Sequence, residues 1–120
     1  KKVTFLKSDW FDSFSKVEKF NLIISNPPYL SEDDFLSAQK EVVNYEPKSA
    51  LVSPTNGLSD LKRIIKGAAP YLEYSGVLAL EAGAGQCDEL TRYANKIGYK
   101  EIVTKNDLNK IKRFLFLRIN

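Results

Sequence analysis

The 120-residue sequence contains no histidine and no methionine, and its only cysteine is Cys87. A single cysteine excludes an internal disulfide, and the lack of histidine excludes Ser-His-Asp and Cys-His triads and argues against a zinc site. No run approaches the roughly 18 apolar residues of a membrane span, and no signal peptide is recognisable. We therefore expect a cytoplasmic protein without a metal site or a membrane partner.

The composition is that of one globular domain, with 43% hydrophobic and 28% charged residues. The net charge of +3 is spread along the chain without a long basic block. This distribution indicates an acidic partner only weakly, and sequence-specific nucleic-acid binding is not expected. Because the chain opens on lysine and contains no methionine, we expect either that a start residue was removed or that the chain is a piece of a longer protein.

Apolar runs and helical periodicity alternate along the chain. Strands are predicted at residues 3–7 (VTFLK), 20–25 (FNLIIS), 77–81 (VLALE), 101–105 and 113–119 (RFLFLRI). Helices are predicted after the cap residue Ser31, from the cap residue Ser59 to Leu72 with a kink or restart at Pro70, and over residues 88–97 up to Gly98. The connections include a long loop over residues 41–57 and a turn at residues 74–76.

This alternation predicts an α/β fold with a largely parallel sheet. The apolar run at residues 20–25 suits a strand buried on both faces. The last two strands are separated by the seven residues 106–112, which are too few for a parallel crossover. We therefore expect a mixed sheet, with an antiparallel pairing near the C-terminal edge.

The strand at residues 20–25 ends directly on Asn26, Pro27, Pro28 and Tyr29, hereafter the NPPY loop. The two prolines fix two φ angles and keep the residue before them extended. What remains is a stiff loop that presents two acceptors, the Asn26 side-chain oxygen and the Pro27 carbonyl. Two adjacent acceptors fit a planar –NH₂ group, whose flat face Tyr29 can cover.

Such a loop solves a chemical problem, because the lone pair of an amide or nucleobase amine is delocalised and attacks poorly. Holding both N–H bonds aims the nitrogen and favours the positive charge that develops on it during attack. The NPPY loop is therefore predicted to be catalytic and substrate-binding. The alternative is that it serves only as a rigid exit from the strand.

The motif S-N-P-P-Y resembles that of S-adenosylmethionine-dependent methyltransferases acting on planar amino groups. Further segments resemble the HemK/PrmC family of release-factor glutamine methyltransferases over essentially the whole chain. These are Ser8-Asp9-Trp10-Phe11, Glu46-Pro47 with Ala50-Leu51, Gly57-Leu58 with Asp60-Leu61, Glu81-x-Gly83-x-x-Gln86, and Asp107-Leu108 followed by Arg113. The chain departs from the family at Ala82, Asn44 and Lys110-Ile111-Lys112.

The resemblance implies a Rossmann-like class I methyltransferase sheet, of which residues 1–120 would be the C-terminal portion from the third strand onward. The cofactor's Gly-rich loop and an N-terminal helical domain would lie upstream, and Gly83-Ala84-Gly85 is only a loop. It also implies S-adenosylmethionine as cofactor, bound by Asp9, Trp10 and Asn26, and peptide chain release factors as partners. Asp9 as a turn residue and Trp10 as a core aromatic are the alternatives.

The activity implied is methyl transfer to the side-chain amide of glutamine in the Gly-Gly-Gln motif of release factors. An adenine-N6 methyltransferase acting on DNA or RNA is the second reading, and an inactive isolated fragment is the third. Glu81 is either a buried acid at the site or a structural hydrogen-bonding group, Glu46 has no assigned role, and Cys87 is interpreted as packing.

Overall fold

The computed structural model describes residues 2–37, 45 and 47–120, and within them the chain forms a four-stranded mixed sheet. Its strands are β1 (Phe20–Ser25), β2 (Leu72–Glu81), β3 (Glu101–Asn106) and β4 (Lys112–Arg118), in the order β1-β2-β4-β3. β1 pairs parallel with β2, whereas β4 runs antiparallel to both β2 and β3. The α/β class and the antiparallel final pair are confirmed. The described sheet contains fewer parallel pairings than predicted, because β4 turns back and inserts antiparallel beside β2.

Helices in the described residues lie between these strands, and the two longer ones pack on the sheet. They are α1 (Glu32–Leu36), α2 (Pro54–Gly57), α3 (Ser59–Ala68) and α4 (Cys87–Ile97), with 3-10 turns at Lys48–Ala50 and Ala69–Tyr71. The predicted cap at Ser31 is confirmed, since its hydroxyl accepts the Asp34 N–H at 3.0 Å and the Asp34 carboxylate accepts the Ser31 N–H at 3.4 Å. Gly98 ends α4 with φ +120°, as predicted.

α3 differs from the prediction at both ends. It stops at Ala68, Pro70 lies in the 3-10 turn that follows, and Leu72 begins β2 and does not continue the helix. Ser59 is the first helical residue and does not cap the helix, because α2 ends just before it and only Leu58 separates the two. The hydroxyl of buried Ser53 accepts the Asp60 N–H instead, at 2.9 Å. The predicted loop over 41–57 contains α2, whose first residue Pro54 has a φ suited to a helix start. Glu46 and Asn44 lie outside the described residues.

The hydrophobic core lies between one face of the sheet and the helices α3 and α4. Its fully buried members include Leu61, Ile64, Ile65, Leu78, Leu90, Leu115 and Leu117. Their spacing along α3 follows the helical period, and β4 alternates buried and exposed residues. Among the described helices, none combines the length and apolar content needed to cross a bilayer.

The strand predicted at residues 3–7 is absent. Val3, Phe5 and Leu6 expose 79%, 93% and 54% of their surface. A strand is held by hydrogen bonds to a neighbouring strand, and within residues 2–37, 45 and 47–120 no strand lies beside this segment. Strand propensity alone therefore does not make residues 3–7 a strand.

The prediction that β1 is buried on both faces is also wrong. Leu22 and Ile24 are 54% and 72% exposed, whereas Ile23 packs against the core. In register, Ile24 lies in a row with Ala79, Phe116 and Val103 that crosses all four described strands. The described helices cover only the other face, so this row remains in contact with solvent.

The turn predicted at residues 74–76 lies inside β2. The pairing with β1 shifts from Phe20–Leu72 to Leu22–Val77, so β2 carries extra residues between these two points. Ser75 accommodates them with a φ of +62°. The residues predicted as a turn therefore form a bulge within a continuous strand.

Because Tyr99 is buried, the stability of the folded protein should fall as the pH becomes alkaline. The Tyr99 hydroxyl donates to the Ile65 carbonyl at 2.7 Å, and burial raises the pKa of the phenol above its usual range. Tyrosine in the unfolded chain ionises at about pH 10, so the stabilisation is complete below that pH and is lost as pH rises further.

We expect Tyr99→Phe to reduce the fall in unfolding free energy between about pH 9 and 11. Urea titrations across this range measure it, and Tyr74→Phe, at an 80% exposed position, is the control. Equal slopes for the parent and Tyr99→Phe would contradict the prediction.

Candidate functional site

The NPPY loop leaves the sheet at the end of β1, beside the end of its parallel neighbour β2. Ligands of α/β sheets bind at this edge, outside the carboxyl ends of the strands. A cavity of about 350 Å³ is lined by Asn26, Pro27, Pro28, Tyr29, Leu30, Ala50 and Leu51. Asn26 is exposed and Pro27 is buried. The four predicted substrate-binding residues thus line one cavity.

A short parallel bridge forms the second wall of this cavity. The Leu30 N–H donates to the Leu51 carbonyl at 2.8 Å, and the Ser53 N–H donates to the Leu30 carbonyl at 2.9 Å. Ala50 and Leu51, singled out in the sequence only as part of a motif, therefore lie directly opposite the NPPY loop. The bridge fixes the exit of the loop.

The side chain and the main chain of Tyr29 are each held by a hydrogen bond, one to the last residue of β2 and one to the residue before α4. The Tyr29 hydroxyl donates to Glu81 Oε1 at 2.9 Å, and its carbonyl accepts from Gln86 Nε2 at 2.8 Å. Burial raises the pKa of the Tyr29 phenol, and the hydrogen bond to Glu81 adds to this, so the phenol is neutral at pH 7. This hydrogen bond places the Glu81 carboxylate beside a predicted site residue and is compatible with both roles left open for it.

Two glycines permit the close packing around Tyr29. A Cβ on Gly57, whose φ is +82°, would lie 1.9 Å from the Tyr29 carbonyl oxygen and 2.7 Å from Gln86 Nε2. A Cβ on Gly83 would lie 2.9 Å from Gln86 Oε1 and 3.1 Å from Tyr29 Cδ1. The sequence named both glycines within motifs, but their close approach to Tyr29 could be found only in the structure.

The residues proposed to bind the cofactor lie in different surroundings. Asp9 is exposed and its carboxylate lies 3.4 Å from the Arg63 guanidinium on α3. Trp10 is half-buried, packs against the hydrophobic core and has a φ of +54°. Neither residue lines the cavity that contains Asn26.

Asp107 and Arg113 organise the turn between β3 and β4. Asp107 Oδ1 accepts from the N–H groups of Asn109 at 2.8 Å and Ile111 at 3.0 Å, and Oδ2 lies 3.3 Å from Arg113 Nε. The backbone hydrogen bond from Ile111 is the main cause that lowers the pKa of Asp107. Lys110, at one of the departures from the family pattern, takes a φ of +62° in this turn.

A second cavity, of about 210 Å³, shares Tyr29 and Leu30 with the first. It is lined by Tyr29, Leu30, Asp34, Gly83, Ala84, Gln86 and Arg113. Gly83-Ala84-Gly85 forms the predicted loop, in which Gln86 N–H donates to the Gly83 carbonyl at 3.2 Å. Cys87 follows at the start of α4 and is buried, in agreement with its interpretation as packing.

No protein-family model matches the chain, whereas individual curated proteins match most of it. A release factor glutamine methyltransferase of Buchnera aphidicola is 43% identical over 107 residues, which are 89% of this chain and 38% of that protein. One from Thermodesulfovibrio yellowstonii is 37% identical over 118 residues, 98% of this chain and 42% of that protein. A bifunctional methyltransferase of Rickettsia typhi is 36% identical over 98 residues, 82% of this chain and 19% of that protein.

The chain thus spans about two fifths of the length of the first two relatives. Over that part, the chain is similar to proteins named release factor glutamine methyltransferase, at 37–43% identity.

Proposed function

We propose that the protein containing this chain transfers a methyl group from S-adenosylmethionine to the side-chain amide of glutamine in the Gly-Gly-Gln motif of release factors. The observation that carries the proposal is the NPPY loop, which lines a cavity at the carboxyl edge of β1 while Glu81 and Gln86 anchor its last residue. The names of the relatives support the same activity.

In this proposal, the loop binds both hydrogens of the substrate amide. Asn26 accepts one N–H with its side-chain oxygen, and Pro27 accepts the other with its carbonyl. These hydrogen bonds aim the nitrogen and become stronger as positive charge develops on it. Tyr29 packs on the planar amide, and its neutral phenol stays bonded to Glu81. The catalytic power of the loop would then come from acceptors that are fixed before the substrate arrives.

When bound, S-adenosylmethionine would supply an electrophilic methyl group, its S–CH3 bond breaking to leave S-adenosylhomocysteine as the amide nitrogen forms the new N–C bond and loses one proton to water. We propose that Asp9, Trp10 and Asn26 contribute to its site. The exposed carboxylate of Asp9 and the exposed amide of Asn26 are chemically suited to its hydroxyl and amino groups, and Trp10 offers an aromatic face. The proposal places the Gly-rich cofactor loop in an upstream part of the protein, outside this chain, and the whole protein in the cytoplasm.

The substrate assignment is tested with full-length protein and purified release factor. We expect the release factor to gain one methyl group, and the same protein with alanine in place of the Gly-Gly-Gln glutamine to gain none. Intact-mass spectrometry after incubation with S-adenosylmethionine measures the transfer. Transfer to adenine in DNA or RNA, with none to the release factor, would assign the protein to the alternative class.

A further inference from the structure

We propose that Gln86 is a positioning residue, whose side-chain amide holds the main chain of Tyr29 and so sets the Asn26 and Pro27 acceptors for the substrate. The inference rests on the proposed methyl transfer and extends it to a residue outside the NPPY loop. Gln86 lies 57 positions from Tyr29 in the sequence and is only 9% exposed.

The Gln86 amide uses both of its ends to join two loops. Its Nε2 donates to the Tyr29 carbonyl at 2.8 Å, and its Oε1 accepts the Gly83 N–H at 2.7 Å. Gly83 follows β2 and Tyr29 follows β1, so this one side chain ties together the loops after two parallel strands. Only a group with a donor and an acceptor can make both bonds.

The position of Gln86 in the chain supports a role other than helix stability. It occupies the N-cap position of α4, where Ser, Thr, Asp or Asn would bond to the first helical N–H groups. No side-chain cap is formed by Gln86 in the structure. Gln86 thus makes no cap for its own helix and bonds to the candidate site instead. Such exceptions to local stability are expected at functional positions.

The effect of Gln86 should reach the acceptors because the intervening loop is stiff. The rings of Pro27 and Pro28 fix their φ angles, so a rotation of the Tyr29 peptide cannot be absorbed locally. Glu81 holds the hydroxyl of the same tyrosine at 2.9 Å. With the side chain anchored by Glu81 and the main chain by Gln86, Tyr29 has one orientation, and the loss of either anchor should displace Asn26 and Pro27.

Gln86→Glu in the full-length protein tests this with a pH profile. The ionised carboxylate would place an oxygen against the Tyr29 carbonyl oxygen, whereas the protonated acid can donate there and still accept from Gly83. We expect kcat, relative to the parent at the same pH, to be about tenfold lower near pH 8 and to recover as the pH falls toward about 6. Cofactor affinity should change less than kcat, because Asn26 is only one of the three residues proposed for the cofactor site.

Gln86→Met is the matched control, since it is similar in size and makes neither hydrogen bond. We expect its kcat to be about tenfold lower at every pH, with no acid recovery. Thermal unfolding confirms that each variant is folded at the pH of assay, and the methionine variant stands in if the glutamate variant is not. A flat pH ratio for Gln86→Glu, or parent-like kcat for Gln86→Met, overturns the inference.

A second measurement separates this inference from the proposed function. In Gln86→Glu, the amide resonance of Leu30, which shares a peptide group with the Tyr29 carbonyl, should titrate with the new carboxyl, and in the parent it should not. If the parent leaves release factor unmethylated, the proposed function fails and this titration decides whether Gln86 positions the loop. A Leu30 resonance that does not titrate in the variant overturns the inference.

Discussion

Asn26→Ala in the full-length protein is expected to lower the rate of methyl transfer about 10²–10³-fold, or about 3–4 kcal/mol. Asn26 is exposed at the cavity, on a loop stiffened by two prolines, so its truncation removes an acceptor without collapsing the backbone. The lost hydrogen bond strengthens as charge builds on the attacking nitrogen, and it therefore belongs to the transition state more than to ground-state binding. Single-turnover methylation of the release factor measures the rate, and cofactor affinity is followed separately.

Asn26→Asp is the matched control for this experiment. It keeps the size of the side chain and an acceptor oxygen, but adds a negative charge at the site. We expect it to retain more of the transfer rate than Asn26→Ala, with a larger change in cofactor affinity. If Asn26→Ala transfers within about threefold of the parent rate, far less than a preorganised hydrogen bond contributes, the NPPY loop is only a rigid exit from β1.

Gly57→Ala is expected to lower the free energy of unfolding by about 2–5 kcal/mol, from backbone strain and overpacking together. Its φ of +82° disfavours any Cβ, and the added atom would lie 1.9 Å from the Tyr29 carbonyl oxygen. Because that neighbour is main chain, no side-chain rotation can relieve the contact. Chemical denaturation of the parent and variant proteins measures the loss.

Gly85→Ala separates the two causes, since Gly85 has nearly the same φ, +81°, but nothing within 4 Å of an added Cβ. It should cost only the strain of the left-handed conformation, about 1–2 kcal/mol. The excess loss in Gly57→Ala is then the contact with Tyr29. Equal losses for the two variants would show that the close approach around Tyr29 does not constrain the loop.

The residues of the NPPY loop that line the cavity could be predicted from sequence because they are local. Asn26 to Tyr29 are consecutive, and the strand before them is indicated by its own apolar run. The anchors of Tyr29 could not be predicted, since Glu81 and Gln86 lie 52 and 57 positions away and only the parallel pairing of β1 with β2 brings them close. The motif Glu81-x-Gly83-x-x-Gln86 includes both residues but does not indicate that either one contacts Tyr29.

The fold errors have a similar origin, because each depends on neighbours that a local pattern does not contain. Residues 3–7 have strand propensity but no adjacent strand in the described part of the chain. The β2 bulge at Ser75 looks like a turn until its pairing with β1 is known. The spacing of the last two strands predicted their hairpin correctly, since seven connecting residues restrict the geometry by themselves.

The position of β4 affects how this part of the protein is made on the ribosome. β4 is the last of the described strands in sequence, yet it lies between β2 and β3 and contributes the fully buried Leu115 and Leu117. Until it has emerged, β3 has no pairing partner among the described strands and the core lacks these two leucines. Synthesis proceeds at about 5–20 residues per second, so β1 and β2 wait for seconds with an incomplete sheet. The sheet therefore closes only after translation of residues 112–118, and a ribosome that stalls before them leaves its apolar edges exposed to chaperones and proteases.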